Sequence, residues 1–276
     1  MSNIVKNTSL YTLGLILPQI VGFLLLPVYT KYLSPDDYGI VSSMQVLSSI
    51  LIIVFSFAID RSIYRLYFDH KTEQDKRNYL GTITISLLLI SSIILLLLFV
   101  FKGAISQIYK SIEFCPFFVF AIVSAFFSIF SIIPKIYFQI NEKAEKFIAL
   151  SLLEFTLITG FVLWFVVVKQ EGAVGMLKGG MVASIIISPL FLYISYKTVN
   201  FSFQIQVLKD SLSFSLPILP ALLSAWILNL SDRIFIERYF TLYDVGIYSL
   251  GYKMAGVILA FSGAFNKAYK PVFYKL

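Results

Sequence analysis

Long apolar stretches constrain this chain more than any other feature of its sequence. Eight segments are apolar enough to cross a bilayer as helices, which takes about 20 mostly apolar residues each. They lie at about 9–30, 38–59, 79–101, 114–138, 147–168, 173–196, 211–231 and 244–265. Only 13% of the 276 residues are charged, against about a quarter in soluble domains. Because backbone in lipid must satisfy its own hydrogen bonds, the sequence predicts an all-α polytopic membrane protein of about eight transmembrane helices.

The connections between these segments alternate in basic content. Connections on the side of the N-terminus carry about twice as many lysines and arginines as those on the other side. Cytoplasmic connections are enriched in basic residues, so the bias predicts a cytoplasmic N-terminus. It also accounts for most of the net charge of +7 without a nucleic-acid partner.

Few residues are available for catalysis or for a cofactor. The chain has one cysteine, Cys115, and one histidine, His70, which excludes an internal disulfide and a thiol or histidine metal centre. It lacks the Gly-x-x-x-x-Gly-Lys-Ser/Thr loop that cradles nucleotide phosphates, an acidic metal cluster and a Ser/His/Asp set. We therefore expect no catalytic residue, no cofactor and no metal, and a function other than that of an enzyme.

A ten-residue phrase occurs twice, 207 residues apart, at Lys31–Ile40 and at Arg238–Ile247. Ser34 and Thr241 each precede an aspartate by three residues, a spacing typical of a helix N-cap. The glycine that follows in each copy would let a neighbouring helix approach closely. The phrase therefore predicts two equivalent helix starts, those of the second and eighth segments.

The two copies follow the first and the seventh segment, six segments apart. An even number of crossings preserves orientation, so the repeat predicts two parallel halves related by an axis along the membrane normal. Prolines interrupt the first segment of each half, at Pro18, Pro27, Pro217 and Pro220. Such breaks are either ordinary kinks or, as in many transporters, part of the lining of the substrate path.

If one half has six segments, two complete halves need twelve, whereas this chain has eight. We expect residues 1–200 to form an N-terminal six-helix lobe and residues 201–276 to begin a second lobe with two helices. The chain is then expected to be a fragment or a truncated gene product.

Polar residues recur on one face of the second segment and on one face of the eighth. They are Ser42, Gln45, Ser49, Ser56 and Asp60 in the second, and Ser249, Lys253, Gly256, Gly263 and Lys267 in the eighth. Because the two helices are repeat mates, their stripes are predicted to meet across a hydrophilic path. Helix packing through small residues is the alternative. Gln45, Lys253 and Lys267 are the candidate substrate-binding residues here, and Lys253 has no acidic residue one turn away.

Other ionisable residues near the segments are candidates as well. Arg61 and Arg65 lie one turn apart after the second segment, where they are placed to meet lipid phosphate. Arg233 follows the seventh segment, where an ion pair or a substrate contact would account for it. Glu154, inside the fifth segment, either pairs with a base or carries a proton or sodium ion during transport.

Three short motifs carry a resemblance to a known family. They are Leu33–Gly39 after the first segment, Ser231–Ile236 at the end of the seventh and Val245–Ser249 at the start of the eighth. On these the chain resembles the polysaccharide flippases that move lipid-linked O-antigen or capsule repeat units, relatives of the multidrug and toxin exporters. The resemblance implies two six-helix lobes around a central cavity in the bacterial inner membrane.

The resemblance also implies a substrate and partners. The substrate would be an undecaprenyl-diphosphate-linked oligosaccharide, moved from the inner to the outer leaflet for lipopolysaccharide or capsule synthesis. Lys253, Arg61, Arg65 and Arg233 would neutralise its diphosphate or acidic sugars by charge-assisted hydrogen bonds. A glycan polymerase and glycosyltransferases of the same pathway would be further partners, besides the lipid bilayer.

Other functions remain open at this point. A related drug exporter or lipid II flippase would share the architecture, although cationic drugs favour acidic cavities and this chain is basic. A membrane-embedded glycan polymerase would need a large external loop, whereas the predicted external loops are short. A nonfunctional truncated relative is the last alternative.

Overall fold

The computed structural model of the chain describes residue 14 and residues 16–256, and every regular element among them is a helix. The helices are α1 (16–24), α2 (Leu26–Tyr32), α3 (Pro35–Ser56), α4 (Ile59–Leu66), α5 (Glu73–Val100), α6 (Phe114–Ile140), α7 (Ala144–Val168), α8 (Gly172–Thr198), α9 (Ile205–Leu230), α10 (Asp232–Tyr239) and α11 (242–256). Short helical turns at Tyr67–Asp69 and Lys102–Ile105 lie in connections.

Six helices in this part of the chain, α3 and α5 to α9, are long and apolar enough to cross a membrane. They correspond to the second to seventh predicted segments. The first and eighth segments extend outside the described residues, and their described parts form α1, α2 and α11. The predicted all-α polytopic architecture is confirmed on these elements.

The second segment ends earlier than predicted. α3 stops at Ser56 because Phe57 and Ala58 adopt left-handed backbone conformations, with φ of 46° and 54°. A new short helix, α4, then begins at Ile59. Asp60 therefore lies on α4, and its predicted place on the polar face of the second segment was wrong.

The predicted interruptions at Pro27, Pro217 and Pro220 are local changes of helix geometry, whereas Pro18 does not interrupt α1. Only Leu25 lies between α1 and α2, and its backbone stays in the right-handed helical region; Pro27 lies in the first turn of α2. Within α9, a 3₁₀ turn at Leu216–Ile218 contains Pro217, and Pro220 lies in the first turn of the α-helix that follows. Proline is tolerated in a first turn because the amide hydrogen that it lacks would have no partner there.

The core packs α3, α4, α5 and α6 together through buried aliphatic and aromatic side chains. Met44 and Phe55 of α3, Ile83 of α5 and Ile122 of α6 are fully buried in one cluster. On the other side of α6, Ser124 hydrogen bonds to Ser184 of α8 at 3.3 Å. Small residues at such contacts let membrane helices pack closely without a hydrophobic driving force.

Three helices begin at one end of the bundle, here called the cap end. The Asp37 carboxylate at the start of α3 accepts a hydrogen bond from the Ala173 amide at the start of α8, at 3.0 Å. The start of α11 packs against the start of α3, where Gly39 faces the Leu242 carbonyl. At the opposite end the Asn200 amide, after α8, donates to the Arg77 carbonyl of α5 at 3.1 Å. The connections thus alternate between two ends, as the predicted spans require.

Asp37 stabilises the starts of α3 and α8, so its replacement is predicted to lower the stability of the protein. Its carboxylate accepts from the Ser34 amide and hydroxyl as well as from the Ala173 amide. Asp37→Ala should lower the free energy of unfolding by about 1–2 kcal/mol, the usual cost of losing a helix cap. Asp36→Ala is the matched control, because Asp36 is exposed on the same turn. Thermal unfolding in detergent measures the difference, and equal melting temperatures for the two variants would contradict this role.

Candidate functional site

The two repeated phrases form the same capping structure. In the first, the Asp37 amide donates to the Ser34 hydroxyl at 3.1 Å while the Asp37 carboxylate accepts from the Ser34 amide. In the second, the Asp244 amide donates to Thr241 at 3.2 Å and the Asp244 carboxylate accepts from the Thr241 amide at 3.0 Å. The predicted pair of helix starts is confirmed.

The two helix starts cross each other at their glycines. A Cβ atom on Gly39 would lie 2.0 Å from the Leu242 carbonyl oxygen, and one on Gly246 would lie 2.0 Å from the Pro35 carbonyl oxygen. Any side chain would force the two backbones apart, so only glycine permits this approach. The close approach predicted for both glycines is confirmed.

A serine pair completes the crossing one turn deeper. The hydroxyls of Ser42 and Ser249 are 2.6 Å apart and buried, and the two residues are 207 positions apart, the offset of the repeat. Gly39 and Gly246 are also repeat mates. Gly39 meets Leu242 and Gly246 meets Pro35, and these two residues occupy equivalent positions of the repeat. Such reciprocal contacts are those of a two-fold axis. We call Gly39, Gly246, Ser42 and Ser249 the crossed-helix contact.

Beyond this contact the side chains of α11 are mostly exposed. Residues 251–255 are all exposed, whereas Val245, Gly246 and Ser249 are buried. Lys253 lies on this exposed stretch, where its ammonium donates to the Tyr38 hydroxyl at 2.9 Å and lies 4.8 Å from the centre of the Tyr38 ring. Within the described residues Lys253 forms no ion pair.

Arg233 lies beside Lys253 and is 5% exposed. Its guanidinium donates to the Asp232 carboxylate at 2.9 Å and to the Asn229 carbonyl at 3.1 Å. It also lies 4.5 Å from the ring centre of Tyr252 and 5.7 Å from that of Tyr248. The ion-pair reading of Arg233 is therefore confirmed, whereas its contact with a substrate stays a prediction.

The polar residues of α3 contact different neighbouring helices. Ser42 faces α11, but Ser49 accepts a hydrogen bond from the Trp226 indole of α9 at 2.9 Å. Gln45 is exposed and forms no hydrogen bond with the residues that the structure describes. The two stripes thus meet by direct contact at their first serines. Lys267 lies outside the described residues.

Arg61 and Arg65 lie at the opposite end of α3, and the structure does not bring them near Lys253. Arg61 pairs with Asp60 at 3.3 Å and Arg65 with Asp69 at 2.5 Å, and both side chains are more than half exposed. Burial raises the pKa of Asp60, an effect that the adjacent Arg61 partly offsets. Since α3 has 22 residues, its length of roughly 33 Å separates these arginines from the cap end.

Glu154 of α7 forms an ion pair with Lys135 of α6. The Lys135 ammonium also lies 5.8 Å from the ring centre of Phe191. Pairing with a base was one of the two readings of Glu154, and the structure bears it out. Lys135 lies inside α6, within the bounds predicted for the fourth segment.

A buried polar cluster at the cap end escaped the sequence analysis. Glu237 of α10 is 2% exposed, and one of its carboxylate oxygens accepts from the Ser111 amide at 2.7 Å. Tyr109, in the same connection as Ser111, donates to the Ser43 carbonyl of α3 at 3.0 Å. Burial raises the pKa of Tyr109, and the Glu237 carboxylate raises it further. The one signal in the sequence was an acid directly after the apolar run Ile234–Ile236.

Comparison with known proteins agrees with this architecture. The profile of a family described as "Polysaccharide biosynthesis protein" matches residues 4–276. A Haemophilus influenzae protein named "Lsg locus putative protein 1" is 27% identical over 281 residues, which cover 98% of this chain and 66% of that protein. The chain thus spans slightly less than two thirds of this curated relative. No solved structure gives a significant match.

The crossed-helix contact makes a packing prediction. Gly39→Ala should lower the free energy of unfolding by roughly 1–3 kcal/mol, because its methyl group meets a backbone carbonyl that cannot move aside alone. Gly251→Ala is the control: a Cβ there meets nothing within 4 Å, so it should be neutral or slightly stabilising. Denaturation midpoints in detergent compare the two. If Gly39→Ala unfolds at the same midpoint as Gly251→Ala, the glycines do not govern this approach.

Proposed function

The chain belongs to the polysaccharide biosynthesis protein family, and from that membership we propose that it is a flippase for lipid-linked oligosaccharides. The substrate we propose is an undecaprenyl-diphosphate-linked repeat unit of a surface polysaccharide, such as O-antigen or capsule. It would move from the inner to the outer leaflet of the bacterial cytoplasmic membrane. Glycosyltransferases of the same pathway would supply it, and a glycan polymerase would receive it.

The observation that carries the proposal is Lys253, a cation beside the crossed-helix contact. Lys253 is stabilised by a tyrosine hydroxyl and ring, and no acid within the described residues neutralises it. Arg233 of α10 lies against the rings of Tyr248 and Tyr252, which are on α11 with Lys253. A cation in a membrane segment without an acidic partner is costly unless it faces water or an anionic ligand. A diphosphate offers such a ligand, and it accepts strong charge-assisted hydrogen bonds.

The crossed-helix contact supplies the moving part in this proposal. We take residues 1–200 as one lobe and residues 201–276 as the start of a second, with a cytoplasmic N-terminus and the cap end facing outward. The contact would then close the outer side of the path, and the exposed stretch of α11 would lie below it. Parting of the two helices would open the path outward, in the rocking motion of two-halved transporters.

The remaining candidates divide by position under this proposal. Arg61 and Arg65, exposed at the cytoplasmic end, would meet the diphosphate in the headgroup region before it moves. Gln45, exposed next to the contact, and Lys267 would line the path. Glu154 stabilises the lobe through Lys135, which makes it the weaker candidate for ion coupling.

Removal of the Lys253 charge tests the substrate site. Lys253→Ala should lower surface-glycan export at least roughly tenfold, because a hydrogen bond to a charged group contributes about 1.5–3 kcal/mol. Complementation of an export-deficient strain measures this effect at matched protein levels. Lys169→Ala, an exposed lysine at the same end, is the control and should export normally. Normal export by Lys253→Ala would remove this residue from the mechanism.

A reversible cross-link tests the motion. In a Cys115→Ser background, Ser42→Cys combined with Ser249→Cys should form a disulfide, because the two hydroxyls are 2.6 Å apart. Export should stop on oxidation and return on reduction. The control pair is Ser49→Cys with Ser249→Cys, since Ser49 faces Trp226 instead. Full export by the oxidised first pair would rule out parting of this contact during transport.

A further inference from the structure

Two exposed tyrosine rings lie side by side on α11, next to the crossed-helix contact. Tyr248 is 39% exposed and Tyr252 is 37% exposed. Their ring centres are 6.2 Å apart and their planes differ by 34°. Residues four positions apart are neighbours on a helix surface, so the two rings form one adjoining aromatic surface. We call Tyr248 and Tyr252 the tyrosine pair.

Polar groups of α10 fix the position of the tyrosine pair. The Tyr248 hydroxyl donates to the Asp232 carboxylate. The Arg233 guanidinium, which donates to the same carboxylate, lies 4.5 Å from the ring centre of Tyr252. A ring held by a hydrogen bond or by a cation loses less conformational freedom when a ligand binds, which favours binding. The tyrosine pair is therefore preorganised.

The surroundings of the tyrosine pair include exposed polar groups. The Asp232 side chain is 34% exposed. Asn229, whose carbonyl accepts from Arg233, is also exposed. Its side-chain amide donates to the Ala225 carbonyl, which leaves the side-chain oxygen available as an acceptor. An exposed carboxylate is costly against lipid tails, so this surface is suited to water or to a polar ligand.

This combination of groups matches the surface of a sugar. A pyranose ring carries C–H groups on its faces, and these pack against the electron-rich face of an aromatic ring. Its hydroxyls lie around the rim, where they donate to carboxylate and amide oxygens. Asp232 and Asn229 supply such acceptors beside the tyrosine pair, whereas an apolar ligand would leave these acceptors unpaired.

The repeat places the tyrosine pair at the edge of the proposed path. Tyr252 lies three residues after Ser249, and its repeat mate Gln45 lies three residues after Ser42. Since the hydroxyls of Ser42 and Ser249 are 2.6 Å apart, Gln45 and Tyr252 lie about one turn beyond this point on their two helices. Both residues are exposed. An amide and an aromatic ring thus flank the crossed-helix contact.

The tyrosine pair also adjoins Lys253, the residue proposed to bind the diphosphate. Tyr252 directly precedes Lys253 in the chain. In a lipid-linked oligosaccharide, the first sugar is bonded to the diphosphate. A ligand whose diphosphate contacts Lys253 would therefore bring its first sugar close to the Tyr252 ring, so the order of the groups in the protein matches their order in the ligand.

We propose that Tyr248 and Tyr252 form a sugar-binding subsite, in which their rings pack against the first sugar while Asp232 and Asn229 accept hydrogen bonds from its hydroxyls. This subsite rests on the proposed function, because it takes the sugar end of the same substrate. It separates recognition of the sugar from recognition of the diphosphate. The tyrosine pair distinguishes the glycosylated lipid from the bare carrier lipid, whereas Lys253 binds both.

Equilibrium binding of two lipids to the full chain in detergent tests this division. The probes are undecaprenyl diphosphate and the same lipid carrying one N-acetylglucosamine, and the dissociation constants of the two are compared. Tyr252→Leu should weaken binding of the glycosylated lipid roughly three- to tenfold, the scale of a contact with an aromatic face, and leave binding of the bare lipid unchanged. Lys253→Ala should weaken binding of both lipids by the same factor.

Two matched variants complete the test. Tyr252→Phe keeps the ring and should still bind the glycosylated lipid more tightly than the bare lipid, which separates ring packing from a loss of structure. Tyr243→Leu removes an exposed tyrosine from the first turn of the same helix and should bind both lipids normally. Equal effects of Tyr252→Leu on the two lipids, or no effect on either, would overturn the subsite alone. Binding of neither lipid by the unchanged chain would overturn the proposed function as well.

Discussion

The structure depends on one interaction, the approach of two helix starts so close that a backbone carbonyl occupies the place of a side chain. Gly39 meets the Leu242 carbonyl, and Gly246 meets the Pro35 carbonyl. Because the two contacts are reciprocal, they set an approximate two-fold axis between α3 and α11. The Ser34 and Thr241 caps then hold each start in place, and Asp37 adds the start of α8. The cap end is therefore built from the repeated phrase.

Charges in and near the membrane segments fall into two groups according to what surrounds them. Lys135 pairs with Glu154, and Arg61 and Arg65 pair with neighbouring acids, so these residues are neutralised by the chain itself. Lys253 instead relies on the ring and hydroxyl of a tyrosine. Aromatic faces stabilise a cation without cancelling its charge. That difference is why the proposed substrate site lies beside the crossed-helix contact, whereas the Glu154–Lys135 pair joins α7 to α6.

Much of the site could be predicted because its elements are local in sequence. The caps follow from an aspartate three residues after a serine or threonine, and Lys253 stands out as a cation in an apolar run. Glu237 was missed because its neighbours in sequence suggest a helix end near the surface. Its burial depends on the connection between α5 and α6, which folds Tyr109 and Ser111 over it. No pattern within the seventh segment predicts that connection's path.

The sequence by itself determined the all-α architecture, the membrane segments, the two caps and the offset between repeat mates. Each of these depends on hydropathy or on hydrogen bonds over a few neighbouring residues. The tertiary structure decided which polar groups meet: Ser42 with Ser249, Ser49 with Trp226, and Glu154 with Lys135. It also decided that Phe57 and Ala58 end α3 before Asp60. Helix periodicity predicts which face of a helix is polar. Which neighbouring helix that face contacts depends on how the helices pack in the tertiary structure.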